Sequence, residues 1–240
     1  MDRATLNQDL FHAAEAGHLV KVRNYLAEGA DINSRHGWYD GTPLHAATRG
    51  GFINIVELLL ERADNDPNKE DKCVGETPLY AAASSGYISI VKLLLERIDI
   101  DPNKENKDNS TPLHAAARNG FIKIVKLLLE RADIDPNKQS ENDGTPLYAS
   151  VRGGFINIVK LFLERADIEL NKEKKDGKTP FDLAADQENL KMVELLFERS
   201  IIDPTKSGNT ILHIAAANEL SSIVQLLLQN TNTDPNKGNK

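Results

Sequence analysis

The chain has 240 residues, 40% of them hydrophobic, and a formal net charge of −7 at pH 7. That balance excludes a dedicated nucleic-acid binder, which needs clustered Lys and Arg, because the basic residues here alternate with acids. Cys73 is the only cysteine, which excludes an internal disulfide and fits a reducing compartment, and the polar start MDRATLNQDLF lacks the basic and apolar regions of a secretory signal. No apolar run approaches the roughly 18 residues of a membrane span, so a cytoplasmic protein without membrane or nucleic-acid partners is expected.

Along the chain a Thr-Pro pair recurs at Thr42-Pro43, Thr77-Pro78, Thr111-Pro112, Thr145-Pro146 and Thr179-Pro180, with Thr210-Ile211 as a degenerate sixth anchor. The intervals are 35, 34, 34, 34 and 31 residues, and a near-fixed period in this range signals a stacked solenoid. The chain divides into seven units, 1–35, 36–70, 71–105, 106–139, 140–173, 174–206 and 207–240, forming one elongated all-α domain over 1–240. In the first unit Gln8-Asp9 stands where Thr-Pro would be, which reads as a polar capping unit covered on one side only.

The fourth unit is the clearest copy. Lys107-Asp108-Asn109-Ser110 is a run of turn formers and predicts a tight exposed loop. Thr111 can accept from a free backbone N–H at a helix start, and Pro112, with no N–H and a fixed φ, suits the first helical position. Leu113 and the small Ala115, Ala116 and Ala117 allow neighbouring helices to approach closely, and Gly120 ends the helix in the left-handed region. Ile122, Ile124, Val125, Leu127, Leu128 and Leu129 then give a second helix a wide apolar face, with Lys123, Lys126 and Glu130 outside. Arg131 complements the negative end of that helix, and Asp133-Ile134-Asp135-Pro136-Asn137 breaks it. Helices this short fall below the roughly 12–15 residues needed for marginal stability alone, so the units must stack to fold.

Later units depart from the pattern. The sixth has Thr179-Pro180-Phe181-Asp182 and carries Glu188 in place of the glycine, which predicts a different end to its first helix. The loop before the seventh is three residues shorter, and the chain stops after Thr231–Asn236, where another unit would begin. The last unit is then either a cap with an exposed apolar flank or a sign that the chain belongs to a longer protein, and an exposed apolar flank after Leu226 would favour the second.

His45, His114 and His213 recur at the period, with tyrosine in the equivalent places at Tyr80 and Tyr148. That exchange fits a side chain bonded to neighbouring backbone better than a metal ligand or proton shuttle. Asp64-x-Asp66-x-Asn68, Asp99-x-Asp101-x-Asn103 and Asp133-x-Asp135-x-Asn137 imitate the start of a calcium loop. Lysine stands at the required turn glycine (Lys69, Lys104, Lys138), and Gly75, Ser110 or Gly144 at the bidentate glutamate, so solvated loop residues are expected instead. No phosphate loop, nucleophile elbow, Cys-x-x-Cys pair or His-Glu-x-x-His helix occurs, and no catalytic residue, metal or cofactor is assigned.

Thr-Pro-Leu-His-Ala-Ala, a glycine near the end of the first helix, Ile-Val-x-Leu-Leu-Leu-Glu and a closing Ala-Asp-Ile together resemble the ankyrin repeat over nearly the whole chain. The resemblance implies β-hairpin-like fingers and paired helices stacked in a curved array, whose fingers and first helices line a concave face for a protein partner. Residues that vary on that face are Trp38, Tyr39, Asp40, Glu76, Lys107, Asn142, Asp143 and Lys175 in the loops. Arg49, Ser84, Ser85, Arg118, Asn119, Arg152, Asp186 and Gln187 vary at the first-helix ends. Trp38, the only tryptophan, is either a binding anchor or a residue packed under the first finger. Arg49, Arg118 and Arg152 form a basic stripe, interrupted at Ser84, that suits either an acidic peptide or solvent. The resemblance thus implies a monomeric, non-enzymatic interaction module, or else the targeting part of a larger enzyme or host-directed effector.

Overall fold

The computed structural model describes residues 2–199, together with Ser221 and Val224. The degenerate anchor Thr210-Ile211, His213 and the chain end lie outside the described residues. Twelve helices occur among those described, arranged as six successive pairs. They are α1 (Arg3–Glu15) and α2 (Leu19–Ala27), α3 (Pro43–Arg49) and α4 (Ile53–Leu60), α5 (Pro78–Ser85) and α6 (Ile88–Leu95), α7 (Pro112–Arg118) and α8 (Ile122–Leu129), α9 (Pro146–Arg152) and α10 (Ile156–Leu163), and α11 (Pro180–Asp186) and α12 (Leu190–Arg199). No strand forms among the described residues, and the fingers are reduced to isolated bridges, His36 with Gly41 and Ser140 with Gly144.

The helix starts follow from the sequence. Thr42, Thr77, Thr111, Thr145 and Thr179 sit in extended backbone and accept from the N–H three residues on, with proline at the first helical position. Leu10, Leu44, Leu79, Leu113 and Leu147 form a fully buried spine through the first helices. Because alanines surround that spine, the first helices stack more closely than the second helices do.

Gly120 is required twice over. Its φ of +79° lies in the left-handed region, and a Cβ there would stand 2.5 Å from the Phe155 ring of the next unit. At the equivalent position in the sixth unit Glu188 adopts φ +54°, and the helix end is unchanged. Glu188 N donates to Ala185 O and Asn189 N to Ala184 O, as Gly120 N does to Ala117 O and Phe121 N to Ala116 O. The expected difference in helix ending does not occur, because the backbone pattern is retained at the cost of a strained glutamate.

The first unit also differs from expectation. Gln8 and Asp9 lie inside α1, which starts six residues earlier at Arg3 and is capped by Asp2, whose Oδ1 accepts from Thr5 N at 3.0 Å. The extra turns of α1 stand where the other units have a finger.

The Asp-x-Asp-x-Asn stretches are not free solvated loops. Each asparagine hooks the next unit: Asn103 Nδ2 donates to Asp133 O at 2.6 Å, and Asn103 Oδ1 accepts from Asp135 N at 2.7 Å. Asn33, Asn68 and Asn137 make the same pair of bonds one unit on. Arg131 does more than face a helix dipole. Its fork holds Asp133 at 2.9 and 2.7 Å, and its Nη1 reaches back 3.0 Å to Leu95 O at the end of α6. Arg97 and Arg165 repeat this arrangement, and in each case the arginine holds the paired aspartate below its usual carboxylate pKa.

Candidate partner-binding face

The fingertips are tied to one another by backbone. Lys72 N donates to Asp40 O, Cys73 N to Tyr39 O, Lys107 N to Val74 O and Glu141 N to Asp108 O. Lys107 Nζ reinforces this by donating to Lys72 O at 2.6 Å and Cys73 O at 2.9 Å. Lys175 reaches Glu141 at 3.0 Å but stays largely exposed. On the tip of the first finger Trp38 is 90% exposed, so it does not pack under the finger. Tyr39 beside it is partly exposed and lies against the Arg49 guanidinium, 4.3 Å from the ring centroid. Asp40 turns the chain with φ +50°.

The stripe of three arginines resolves into two different arrangements. Arg49 donates to the buried Asp71 at 2.5 Å and to Glu76 at 3.1 Å, so one cation faces two carboxylates. Arg118 and Arg152 instead share one carboxylate. Arg118 Nη1 donates to Asp143 Oδ2 at 2.8 Å and Arg152 Nη1 to Asp143 Oδ1 at 2.7 Å, while Arg152 Nη2 donates to Asn142 O. Asp143, expected at an open loop tip, is buried between these two arginines. Among the other candidates, Asn119 and Gln187 join units, while Asp186 is paired within its own unit. Asn119 Nδ2 donates to Ser84 O, Gln187 Nε2 to Arg152 O, and Asp186 accepts from Lys178 Nζ. Ser84 Oγ turns back to Ala81 O, and Ser85 is exposed at the end of α5.

Behind this face His45 and His114 are buried. Nδ1 of His114 accepts from Thr111 N at 3.1 Å, and Nε2 lies 3.0 Å from Gly144 O in the next finger. His45 bridges Thr42 N and Glu76 O in the same way. This geometry sets a neutral imidazole with its proton on Nε2, and burial pushes both pKa values down to about 4. The two histidines fasten one unit to the next finger. His213 lies outside the described residues.

Paired helices stacked at a constant period, with fastened fingers on one side, define an α-solenoid array. Three copies of a family model for ankyrin repeats match residues 10–106, 98–173 and 166–239, and the chain belongs to that family. Such repeats are generally protein-interaction modules. Over 66 residues the chain is 36% identical to the 2-5A-dependent ribonuclease of Mus musculus, covering 28% of this chain and 9% of that protein. Over 52 residues it is 42% identical to the NF-kappa-B inhibitor cactus of Drosophila yakuba, covering 22% and 11%. Over 61 residues it is 41% identical to palmitoyltransferase AKR1 of Kluyveromyces lactis, covering 25% and 8%. Each match thus spans a small part of the relative's length. Among the described residues, no helix is long and apolar enough to cross a membrane.

Proposed function

We propose that the chain is a non-enzymatic scaffold of the cytoplasm, binding a protein partner through the face made by its fingers and first helices. Trp38 carries this reading. It is 90% exposed, yet the backbone that presents it is held by Cys73 N on Tyr39 O, Lys72 N on Asp40 O and the Cys73 thiol on Trp38 O. A large aromatic residue presented from a fixed loop loses little conformational freedom on binding, which suits an anchor. The test is capture of partners by the wild-type chain and by Trp38→Ala, followed by titration of the purified partner. Trp38 is the only tryptophan, so its fluorescence reports its own burial. Loss of capture by the variant and a saturable emission shift support the reading. A partner held equally by both proteins, with unchanged emission, refutes it.

A second reading has one observation in its favour. Two of the relatives named as enzymes, the ribonuclease and the palmitoyltransferase, match over only 9% and 8% of their length. By that analogy the array is the targeting part of a larger enzyme or effector whose chemistry lies elsewhere.

A further inference from the structure

We propose that Arg118 and Arg152, bridged by the buried Asp143, form a clamp for an oxyanion carried by an acidic side chain of the partner protein, either a carboxylate or a phosphoester. The proposal rests on the partner-binding reading for the source of the ligand, and it adds the chemistry that the partner must bring.

Three observations carry it. The first is charge: two guanidinium groups share one carboxylate, leaving one positive charge in surplus, whereas Arg49 meets two carboxylates. The acids around Tyr148, over whose ring Arg152 lies, do not cancel the surplus, because Asp186 is paired with Lys178 and Asp176 with Lys174. His114, behind Asp143, is neutral near pH 7. The second is access: Arg118 and Arg152 keep 40% and 36% of their side-chain surface in solvent, against 2% for Asp143. The third is orientation. Asp143 is fixed by its own N–H donating to Ser140 Oγ at 2.8 Å, and it uses one oxygen for each arginine. Arg152 is further held by Asn142 O. Both Nε–H donors lack a protein partner among the described residues, so two planar forks are fixed with donors to spare. Arg131, by contrast, meets a carboxylate of its own in Asp133 and carries no such surplus.

The experiment records Arg Nε–H NMR signals of the intact chain at low ionic strength during titration with three blocked hexapeptides, alternating Gly with Glu, phosphoserine or Gln. A saturable shift of Arg118 and Arg152, with Arg97, Arg131 and Arg165 still and the Gln peptide silent, is the expected result. The acidic peptide that produces it identifies the oxyanion. Arg118→Gln and Arg152→Gln each weaken that peptide about tenfold, the scale of one charged hydrogen bond, while Lys126→Gln on the outer face of α8, with the same change in charge, leaves it unchanged. Because the titration of the wild-type chain needs no variant, the test survives a variant that fails to fold. No shift with either acidic peptide, or a uniform drift of all arginines with ionic strength, overturns the clamp. That outcome is separate from the Trp38 test: the clamp can fail while Trp38-dependent capture stands.

Discussion

Acidification should weaken this array through His45 and His114, by an amount that can be worked out. In the folded chain both imidazoles sit near pKa 4, because they are buried and because Nδ1 already accepts a backbone N–H. In the unfolded chain they return to about 6.5. The unfolded state therefore binds more protons between these values. The histidine contribution is fully present above pH 6.5, declines as pH falls, and is gone near pH 4. At pH 5 the unfolded histidine is almost wholly protonated and the buried one mostly neutral, which amounts to a loss of about 2 kcal/mol per histidine, against a small fraction of that at pH 7. Two histidines give a differential loss on the order of 3–4 kcal/mol, a large share of an ordinary domain's stability. The assay is urea unfolding at pH 7 and pH 5 for the wild-type chain and for His45→Tyr/His114→Tyr, which installs the residue found at Tyr80 and Tyr148. Groups common to both proteins cancel in the comparison. The wild type should lose that much more on acidification than the variant, and an equal loss in both would refute the argument.

Two further substitutions test features of the fold. Glu188→Gly removes a non-glycine residue from φ +54° and should raise stability by about 0.5–1 kcal/mol in urea unfolding; a lowered midpoint would show that the glutamate is not strained. Asn103→Ala deletes both bonds of one hook and should cost about 1–3 kcal/mol, with faster hydrogen exchange at the Asp135 amide than at Asp66, whose hook is intact.

What was legible in the sequence was what one unit decides for itself. Thr111 and Pro112 set a helix start by local bonds, and Gly120 sets its end, so both could be read without knowing the neighbours. The histidines were readable because Tyr80 and Tyr148 replace them, which a ligand would not tolerate. Bonds between units were missed. Asn103 and Arg131 find their partners 30 to 36 residues away, and nothing inside one repeat indicates that a loop asparagine faces the backbone of the next. A signal was present in the recurrence of Asn33, Asn68, Asn103 and Asn137 at the repeat period. On the candidate face, the three arginines looked alike because they end equivalent first helices. Their difference lies in the acids they meet, Asp71 and Glu76 for one and a shared Asp143 for the others.

The asparagine hooks bear on how such a chain can change its length. Among the described residues, the second, third and fourth units carry both the amide that reaches forward and the backbone that receives the amide from behind. A duplicated stretch of one period therefore arrives with both halves of its joint, and it can be inserted or removed without a new interface being devised. The fingertips lie outside that joint and are linked mostly through backbone, so a tip side chain can change while the asparagine fastening stays the same. Growth by copying and variation of the tip side chains thereby fall to separate residues of the same short segment.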